Sequence, residues 1–233
     1  MKKTIPVVLA LTALLATACE PTSPFPEGSL VLSNVNVLTM DDEEIRANQT
    51  VVIADGYIEW VGNADEAVLP NNAVVIEGDY YVTPGLAEMH GHIPGGGQDR
   101  QYSEDVLTMF LAQGVTFLRG MAGSPLHLEL RGEAERGELV SPRIIAAGPS
   151  FSGGSVPDVE TGRARVQEQV EAGYDLLKMA PGMSLETFLA VASDANAHGI
   201  EFSGHIPAPV GLDRALEAVL FADDKQEVLK ELD

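Results

Sequence analysis

The chain from Val82 onward alternates strand-like runs with helical stretches, and this alternation limits its possible folds more than any other feature. The strand-like runs are roughly 26–33 residues apart, and they begin near Val82, Val115, Arg143, Tyr174 and Ile200. Several helical stretches between them end at a glycine, which readily adopts the left-handed conformation that closes a helix. Repeated strand–helix units predict a parallel sheet, either in a barrel or in a doubly wound fold.

One observation counts against each of these two folds. No G-x-G-x-x-G motif follows the first strand-like run, which argues against a dinucleotide-binding domain. A complete (β/α)8 barrel takes about 250 residues, whereas residues 82–233 number 152 and hold five units. The predicted fold class is therefore α/β over residues 82–233, and the barrel alternative would be a partial TIM-like barrel of five of the eight units.

Residues 30–81 show a different pattern, made of short β-branched runs. Asp55-Gly56 separates the runs Thr50–Ile53 and Tyr57–Val61, and an Asp-Gly pair favours the type I′ turn of a hairpin. We therefore predict that residues 30–81 form a small β-sandwich portion ahead of the barrel.

The N-terminal residues have the pattern of an export signal. Met1-Lys2-Lys3 is a basic start, and the run Ile5–Ala18 holds 14 uncharged, mostly apolar residues. That run is shorter than the ~20 residues needed to cross a bilayer. Residues 1–18 are therefore predicted to be a signal peptide.

The residues around the cysteine refine this prediction. Leu15-Ala16-Thr17-Ala18-Cys19 resembles the lipobox of bacterial lipoproteins, which implies that Cys19 is lipidated; the alternative is an ordinary secretory signal with an unmodified cysteine. Residues 19–29, rich in proline, are then expected to form a tether. Glu20 is not the aspartate that usually retains lipoproteins in the inner membrane, so the resemblance implies a lipid anchor in the outer membrane of the bacterial cell envelope, facing the periplasm.

Charge and cysteine content exclude two classes of function. The chain has 14 Lys plus Arg and 35 Asp plus Glu, which gives a formal charge of −21. Nucleic-acid binding rests on clustered basic residues, so no nucleic-acid partner is expected. Cys19 is the only cysteine, which excludes an internal disulfide framework and a cysteine-rich metal site.

Two histidines stand near the end of the first strand-like run. Side chains alternate along a strand, so His90 and His92 are expected to face the same side, with Gly91 facing away and leaving room behind them. Two imidazoles on one side can bind one metal ion. The alternative is a pair of surface or hydrogen-bonded histidines.

Two further candidates lie on the fourth and fifth strand-like runs. Lys178 lies within an apolar run, where a lysine is costly unless it is paired or modified; the alternative is a lysine whose amine reaches solvent from the strand end. His205 ends the last run, at the edge where barrel enzymes carry their chemistry.

The remaining candidates are an arginine, two histidines and two serines, some of which have two possible roles. Arg119 ends the second strand on the inward side and is expected either to bind a substrate carboxylate or to form a structural ion pair. His127 is expected to open a helix in a structural role, with a place in the pocket as the alternative. His198 is expected to be a capping or surface residue. Ser103 and Ser184 are predicted to be helix N-caps.

Together these residues resemble the amidohydrolase superfamily. The flanking motifs look like those of its imidazolonepropionase-like amidohydrolases, and the resemblance covers about residues 30–219. The motifs are Thr83-Pro84-Gly85-Leu86 before His90-Gly91-His92, Asp55-Gly56-Tyr57-Ile58, Gly114-Val115-Thr116-Phe117-Leu118-Arg119-Gly120-Met121, Pro142-Arg143-Ile144-Ile145-Ala146-Ala147-Gly148-Pro149 and Gly204-His205-Ile206-Pro207.

The resemblance implies a hydrolase that acts on amide or peptide-like C–N bonds of a small-molecule substrate through a metal-activated hydroxide. His90 and His92 would bind the more buried metal, and His205 the second. Lys178, carboxylated by CO2, would bridge the two as a carbamate. The family's one or two divalent metals are usually zinc.

The chain departs from the family after His205. The family has a second histidine on its sixth strand and a proton-transferring aspartate on its eighth, and no match for either follows, so the catalytic residue is unknown. The resemblance therefore implies a chain truncated after the fifth strand, in which the open barrel edge invites oligomerisation. The alternative function is an inactive amidohydrolase-like lipoprotein with at most partial metal binding, and hydrolysis by the chain as written is expected to be poor or absent.

Overall fold

Two units make up the computed structural model, which describes residues 23–95 and 97–219. The first unit ends at Pro84 and the second begins at Gly85. The predicted signal peptide and Cys19 lie outside the described residues.

The first unit is built on one five-stranded mixed sheet. Its order is β3-β2-β1-β4, and the short β5 also pairs with β1. The hairpin pairs are antiparallel, whereas β4 and β5 run parallel to β1. The strands are β1 (Leu30–Val37), β2 (Arg46–Ala54), β3 (Tyr57–Asn63), β4 (Val74–Glu77) and β5 (Tyr81–Val82), with a 3-10 turn at Ala64–Glu66.

The predicted hairpin joins β2 to β3. Asp55 and Gly56 both have positive φ, 50° and 81°, as a type I′ turn requires. The described part of the predicted tether, residues 23–29, contacts this sheet: the Phe25 ring lies 6.2 Å from that of Trp60.

The second unit alternates strands and helices, as the sequence predicts. Strands β6, β7 and β8 form one parallel sheet, and β9 pairs in parallel with β10. Bridges from Ala147 to Leu176 and from Phe151 to Met179 connect the two sheets. The elements are β6 (Leu86–Gly91), α1 (Arg100–Ala112), β7 (Val115–Gly120), α2 (Pro125–Glu135), β8 (Arg143–Ala146), α3 (Val159–Ala172), β9 (Leu176–Met179), α4 (Leu185–His198), β10 (Glu201–Gly204) and α5 (Leu212–Val219). This is a partial TIM-like barrel of five strand–helix units.

The first barrel strand begins later than predicted. Val82 belongs to β5 and pairs with Val37 in the first sheet, so β6 begins only at Leu86. The predicted helix ends are confirmed at Gly173 and Gly199, which have φ of 82° and 66°.

One of the two predicted N-caps is wrong. Ser184 caps α4, since its Oγ accepts a hydrogen bond from the Thr187 N–H at 3.1 Å. Ser103 instead lies inside α1, whose N-cap is Asp99. The Asp99 carboxylate accepts from the Gln101 N–H at 3.2 Å and so supplies the cap four residues earlier.

Apolar residues of the strands pack beneath the helices. Phe188 of α4 meets Phe202 of β10 edge-on, with ring centroids 6.0 Å apart. Burying each such side chain stabilises the fold by about 1.5–3 kcal/mol. The second unit has two main clusters. One contains Phe151, Val166, Leu177, Met179, Phe188, Val191 and Phe202. The other contains Ile93, Leu107, Leu118, Leu130 and Ile144.

None of the helices within the described residues is long and apolar enough to cross a membrane.

Candidate metal centre

The two histidines of the His-x-His motif lie side by side at the carboxyl end of β6. Their ring centroids are 5.6 Å apart, with the ring planes tilted by 47°. The His90 N–H donates to the Glu88 carboxylate at 2.8 Å. Sequence reasoning missed Glu88. The register of β6 is irregular between Glu88 and Gly91, so strand alternation does not predict where this carboxylate lies.

Gly91 between them faces the packed side of the sheet. It is buried, and a Cβ on it would collide with the Leu118 side chain of β7. Gly91 therefore lets β6 lie close to its neighbour, which agrees with the room predicted behind the two histidines.

Lys178 is buried on β9 and meets His90. Its side chain is 3% exposed, and Nζ lies 3.0 Å from His90 Nε2. Its neighbours Leu177 and Met179 pack under the helices, so alternation turns Lys178 to the opposite, inward side of the sheet.

The charges at this position lower two pKa values. Burial, followed by the guanidinium charge of Arg119, lowers the pKa of Lys178. The charge of Lys178 is the largest cause of the lowered pKa of His90, followed by burial and by His92, His205 and Arg119. The basic groups therefore repel one another, and this favours the neutral forms of Lys178 and His90.

His205 is the first residue after β10. Its N–H donates to the Met179 carbonyl at 3.0 Å, which ties it to the strand of Lys178. Gly204 has a φ of +132°, and a Cβ there would lie 3.1 Å from Lys178 Cδ and collide with the Met179 carbonyl. Glycine thus permits the close approach of β10 to β9 at the site.

Arg119 is the last residue but one of β7 and lies on the same inward side. Its Nε donates to the Met89 carbonyl at 2.7 Å, and no carboxylate forms a salt bridge with it among the residues that the structure describes. Of its two predicted roles, the structural ion pair is thus not seen, and the guanidinium is positioned near the histidines and Lys178.

The two other histidines lie apart from this group. His198 is exposed at the end of α4, as expected for a surface residue. His127 is buried in the first turn of α2, in agreement with its predicted structural role.

The donor set fits a divalent metal in part. Imidazole is a common zinc ligand, and His90 and His92 are adjacent. No group of three or more His, Cys, Asp or Glu side chains placed to hold a metal exists within the described residues, and an unmodified lysine ammonium has no lone pair to offer. The set fits a metal best when Lys178 carries an oxygen-bearing group.

Solved structures resemble this chain, although no family model and no curated protein matches it. A candidate prolidase from Bifidobacterium longum is 26% identical with a TM-score of 0.72, covering 83% of this chain and 53% of that chain. The fold is that of the amidohydrolase superfamily. A bottromycin amidohydrolase is 24% identical with a TM-score of 0.67, over 88% of this chain and 48% of its own.

A third neighbour is a prolidase in complex with N-methylphosphonate-L-proline. It is 22% identical with a TM-score of 0.68, and the match covers 82% of this chain and 58% of that chain. The chain thus spans about half the length of these three proteins. The narrower resemblance to imidazolonepropionase-like amidohydrolases stays a prediction.

Proposed function

We propose that this chain carries the metal site of an amidohydrolase that cleaves amide or peptide-like C–N bonds of small molecules. The observation that carries the proposal is the buried Lys178 amine, which lies 3.0 Å from His90 Nε2. The His90 ring in turn lies beside that of His92. The superfamily fold, shared with proteins named as prolidases and amidohydrolases, supports the same reaction class.

His90 and His92 would hold the ion, and His205 would contribute from the end of β10. A divalent cation, most simply zinc, supplies Lewis-acid chemistry when bound, because it polarises carbonyl oxygens and lowers the pKa of water. The amide N–H of His90 is held by Glu88, which fixes the backbone from which that imidazole projects.

Lys178 would be carboxylated to complete the donor set. Its lowered pKa enlarges the fraction of neutral amine, which is the form that has a lone pair. That nitrogen forms a bond to the carbon of CO2 and loses one proton, and the product is an anionic carbamate with two oxygens. The change from a cation to an anion also removes the charge that most lowers the pKa of His90.

Arg119 would bind a carboxylate of the substrate. Its Nε is engaged by the Met89 carbonyl, which leaves the planar guanidinium oriented with its terminal nitrogens available for a bidentate contact. Substrates that carry a carboxylate next to the cleaved bond, such as N-acyl amino acids and dipeptides that end in proline, fit this role.

The experiment compares the full chain with His90→Ala and Lys178→Ala, and uses His198→Ala, at an exposed helix end, as the matched control. Zinc content and a carbamate signal after 13C-bicarbonate labelling are measured first. Hydrolysis of N-acyl amino acids and X-Pro dipeptides is measured second. Turnover of about 1 s⁻¹ or more that is lost in His90→Ala and kept in His198→Ala supports the proposal. Bound zinc without turnover favours the non-catalytic alternative, and equal zinc in His90→Ala contradicts the assigned ligands.

The lipid anchor is a separate proposal. Cys19 would hold the protein on the bacterial outer membrane, as the lipobox resemblance implies. Detergent phase partitioning of the full chain beside Cys19→Ser tests it, since both proteins remain in the aqueous phase if no lipid is attached.

A further inference from the structure

The backbone just after His92 is held by two buried polar side chains from different helices. The Pro94 carbonyl accepts a hydrogen bond from Ser103 Oγ of α1 at 2.7 Å and a second from His127 Nε2 of α2 at 3.2 Å. Because a carbonyl can only accept, the imidazole carries its hydrogen on Nε2. Ser103 is 0% exposed and His127 is 2% exposed.

Packing on both sides of Pro94 reinforces this pair of bonds. The Ile93 side chain is buried in the core with Leu107 and Leu118. On the other side, a Cβ on Gly95 would lie 2.5 Å from Ser124 Oγ and 2.7 Å from His127 Nε2. Residues 93–95 are therefore fitted against the first turn of α2, with no room for a side chain at Gly95.

The imidazole makes a contribution here that an apolar ring would not make. Burial lowers the pKa of His127 below the usual 6.5 of histidine, so the ring is a neutral donor. Its Nδ1 has no hydrogen-bond partner within the described residues. A phenyl ring would fill a similar volume without a buried unpaired nitrogen, so what is specific to histidine is the Nε2–H bond to Pro94.

We propose that Ser103 and His127 are positioning residues for His92. They fix the carbonyl two residues after it, and through the short segment 93–95 they hold the His92 imidazole beside that of His90. The metal-binding consequence of this inference rests on the proposed function, whereas the local ordering of the segment does not. Groups that hydrogen-bond a metal ligand directly commonly change metal affinity by about 10–100-fold, and for partners that act through the backbone we expect the lower end of this range.

The test uses the full chain with His127→Phe, which keeps a ring and removes the donor, and His127→Gln, which restores an N–H donor. His198→Phe is the matched control, because it makes the same change at an exposed histidine. The two readouts are hydrogen exchange in peptides that contain residues 91–95, measured without metal, and the dissociation constant for Zn2+. Ser103→Ala removes the second hydrogen-bond donor to the Pro94 carbonyl, and the same two readouts are measured on it if His127→Phe does not fold.

We expect His127→Phe to speed exchange in residues 91–95 about tenfold, with β9 unchanged, and to weaken zinc binding about tenfold. His127→Gln should recover much of both losses, and His198→Phe should cause neither. Uniformly faster exchange, or no rescue by glutamine, would show a merely structural residue and overturn the inference. If His127→Phe binds zinc as tightly as wild type, the positioning role is overturned and the proposed function stands. If the wild type binds no zinc but His127→Phe still speeds exchange in residues 91–95, the positioning role is supported and the proposed metal site is refuted.

Discussion

Lys178 and His90 lie 88 positions apart in sequence, yet their Nζ and Nε2 atoms are 3.0 Å apart. Their strands, β9 and β6, are separated in the sheet by β7 and β8. In a flat sheet such strands would be about 14 Å apart, and their side chains would stand perpendicular to the sheet instead of pointing toward each other. The contact therefore shows that the sheet curves toward its inward side, as the wall of a barrel does.

Replacing Lys178 by methionine should stabilise the metal-free protein. Methionine keeps the length of the side chain and removes an amine that is costly to bury, so we expect the free energy of unfolding to rise by about 1 kcal/mol. The same change should abolish zinc binding. Urea denaturation and elemental analysis measure the two effects.

Leu177→Met is the control for this prediction, because it places methionine at the adjacent position on the opposite side of β9. A near volume-conserving change there should lower the free energy of unfolding by less than about 1.5 kcal/mol. If Lys178→Met instead destabilises the protein more than Leu177→Met does, the lysine contributes to folding, and the idea that it is kept for function at a cost in stability is wrong.

Gly204→Ala should destabilise the fold more than Gly199→Ala. Both glycines have positive φ, but a Cβ at Gly204 would strike the Met179 carbonyl, whereas nothing lies within 4 Å of a Cβ at Gly199. We expect losses of about 2–3 kcal/mol at Gly204 and about 1 kcal/mol at Gly199. Equal losses in chemical denaturation would contradict this prediction and would mean that β10 moves away from β9 to accommodate the added Cβ.

Local rules were enough to predict much of the fold. The Asp55-Gly56 hairpin needs only its turn residues, and the shared side of His90 and His92 needs only strand alternation. The order of the strand–helix units follows from spacing and from glycines such as Gly173, because the helix end is a local event.

The features that sequence could not provide depend on contacts between distant residues. Lys178 was a candidate because of its apolar run, but its contact with His90 depends on sheet curvature. Residue type alone predicts that Ser103 is an N-cap. The structure assigns the cap to Asp99 and turns Ser103 toward Pro94, a partner that no local pattern identifies.

The two serines should therefore respond differently to the same substitution. Ser184→Asp should keep the stability of the protein, because aspartate is as good an N-cap as serine, while Ser184→Ala should cost about 1 kcal/mol. Ser103→Asp would bury a carboxylate beside the Pro94 carbonyl and should cost more than 3 kcal/mol, roughly the upper end for a buried unsatisfied polar group. Thermal unfolding of the three variants decides this, and equal tolerance of aspartate at both positions would contradict the assignment of the cap to Asp99.

His127 should make the folded state less stable as the pH falls below 7. Burial lowers its pKa in the folded protein below the 6.5 of an ordinary histidine, so the unfolded chain binds more protons in this range. The stability from the neutral ring is complete above pH 6.5 and is lost progressively as the pH falls from there through the folded pKa. One proton corresponds to a slope of at most about 1.4 kcal/mol per pH unit.

Urea denaturation at pH values from 7.5 to about 5 measures this slope, and the comparison between wild type and His127→Phe isolates the part that belongs to His127. The slope that remains in the variant reports other groups, among them His90, whose pKa is also lowered, mainly by the charge of Lys178. His198→Phe makes the same substitution at an exposed histidine and is measured as the control. If His127→Phe retains that slope too, the buried imidazole is protonated without unfolding, and its bond to the Pro94 carbonyl is then not the contact of a neutral ring.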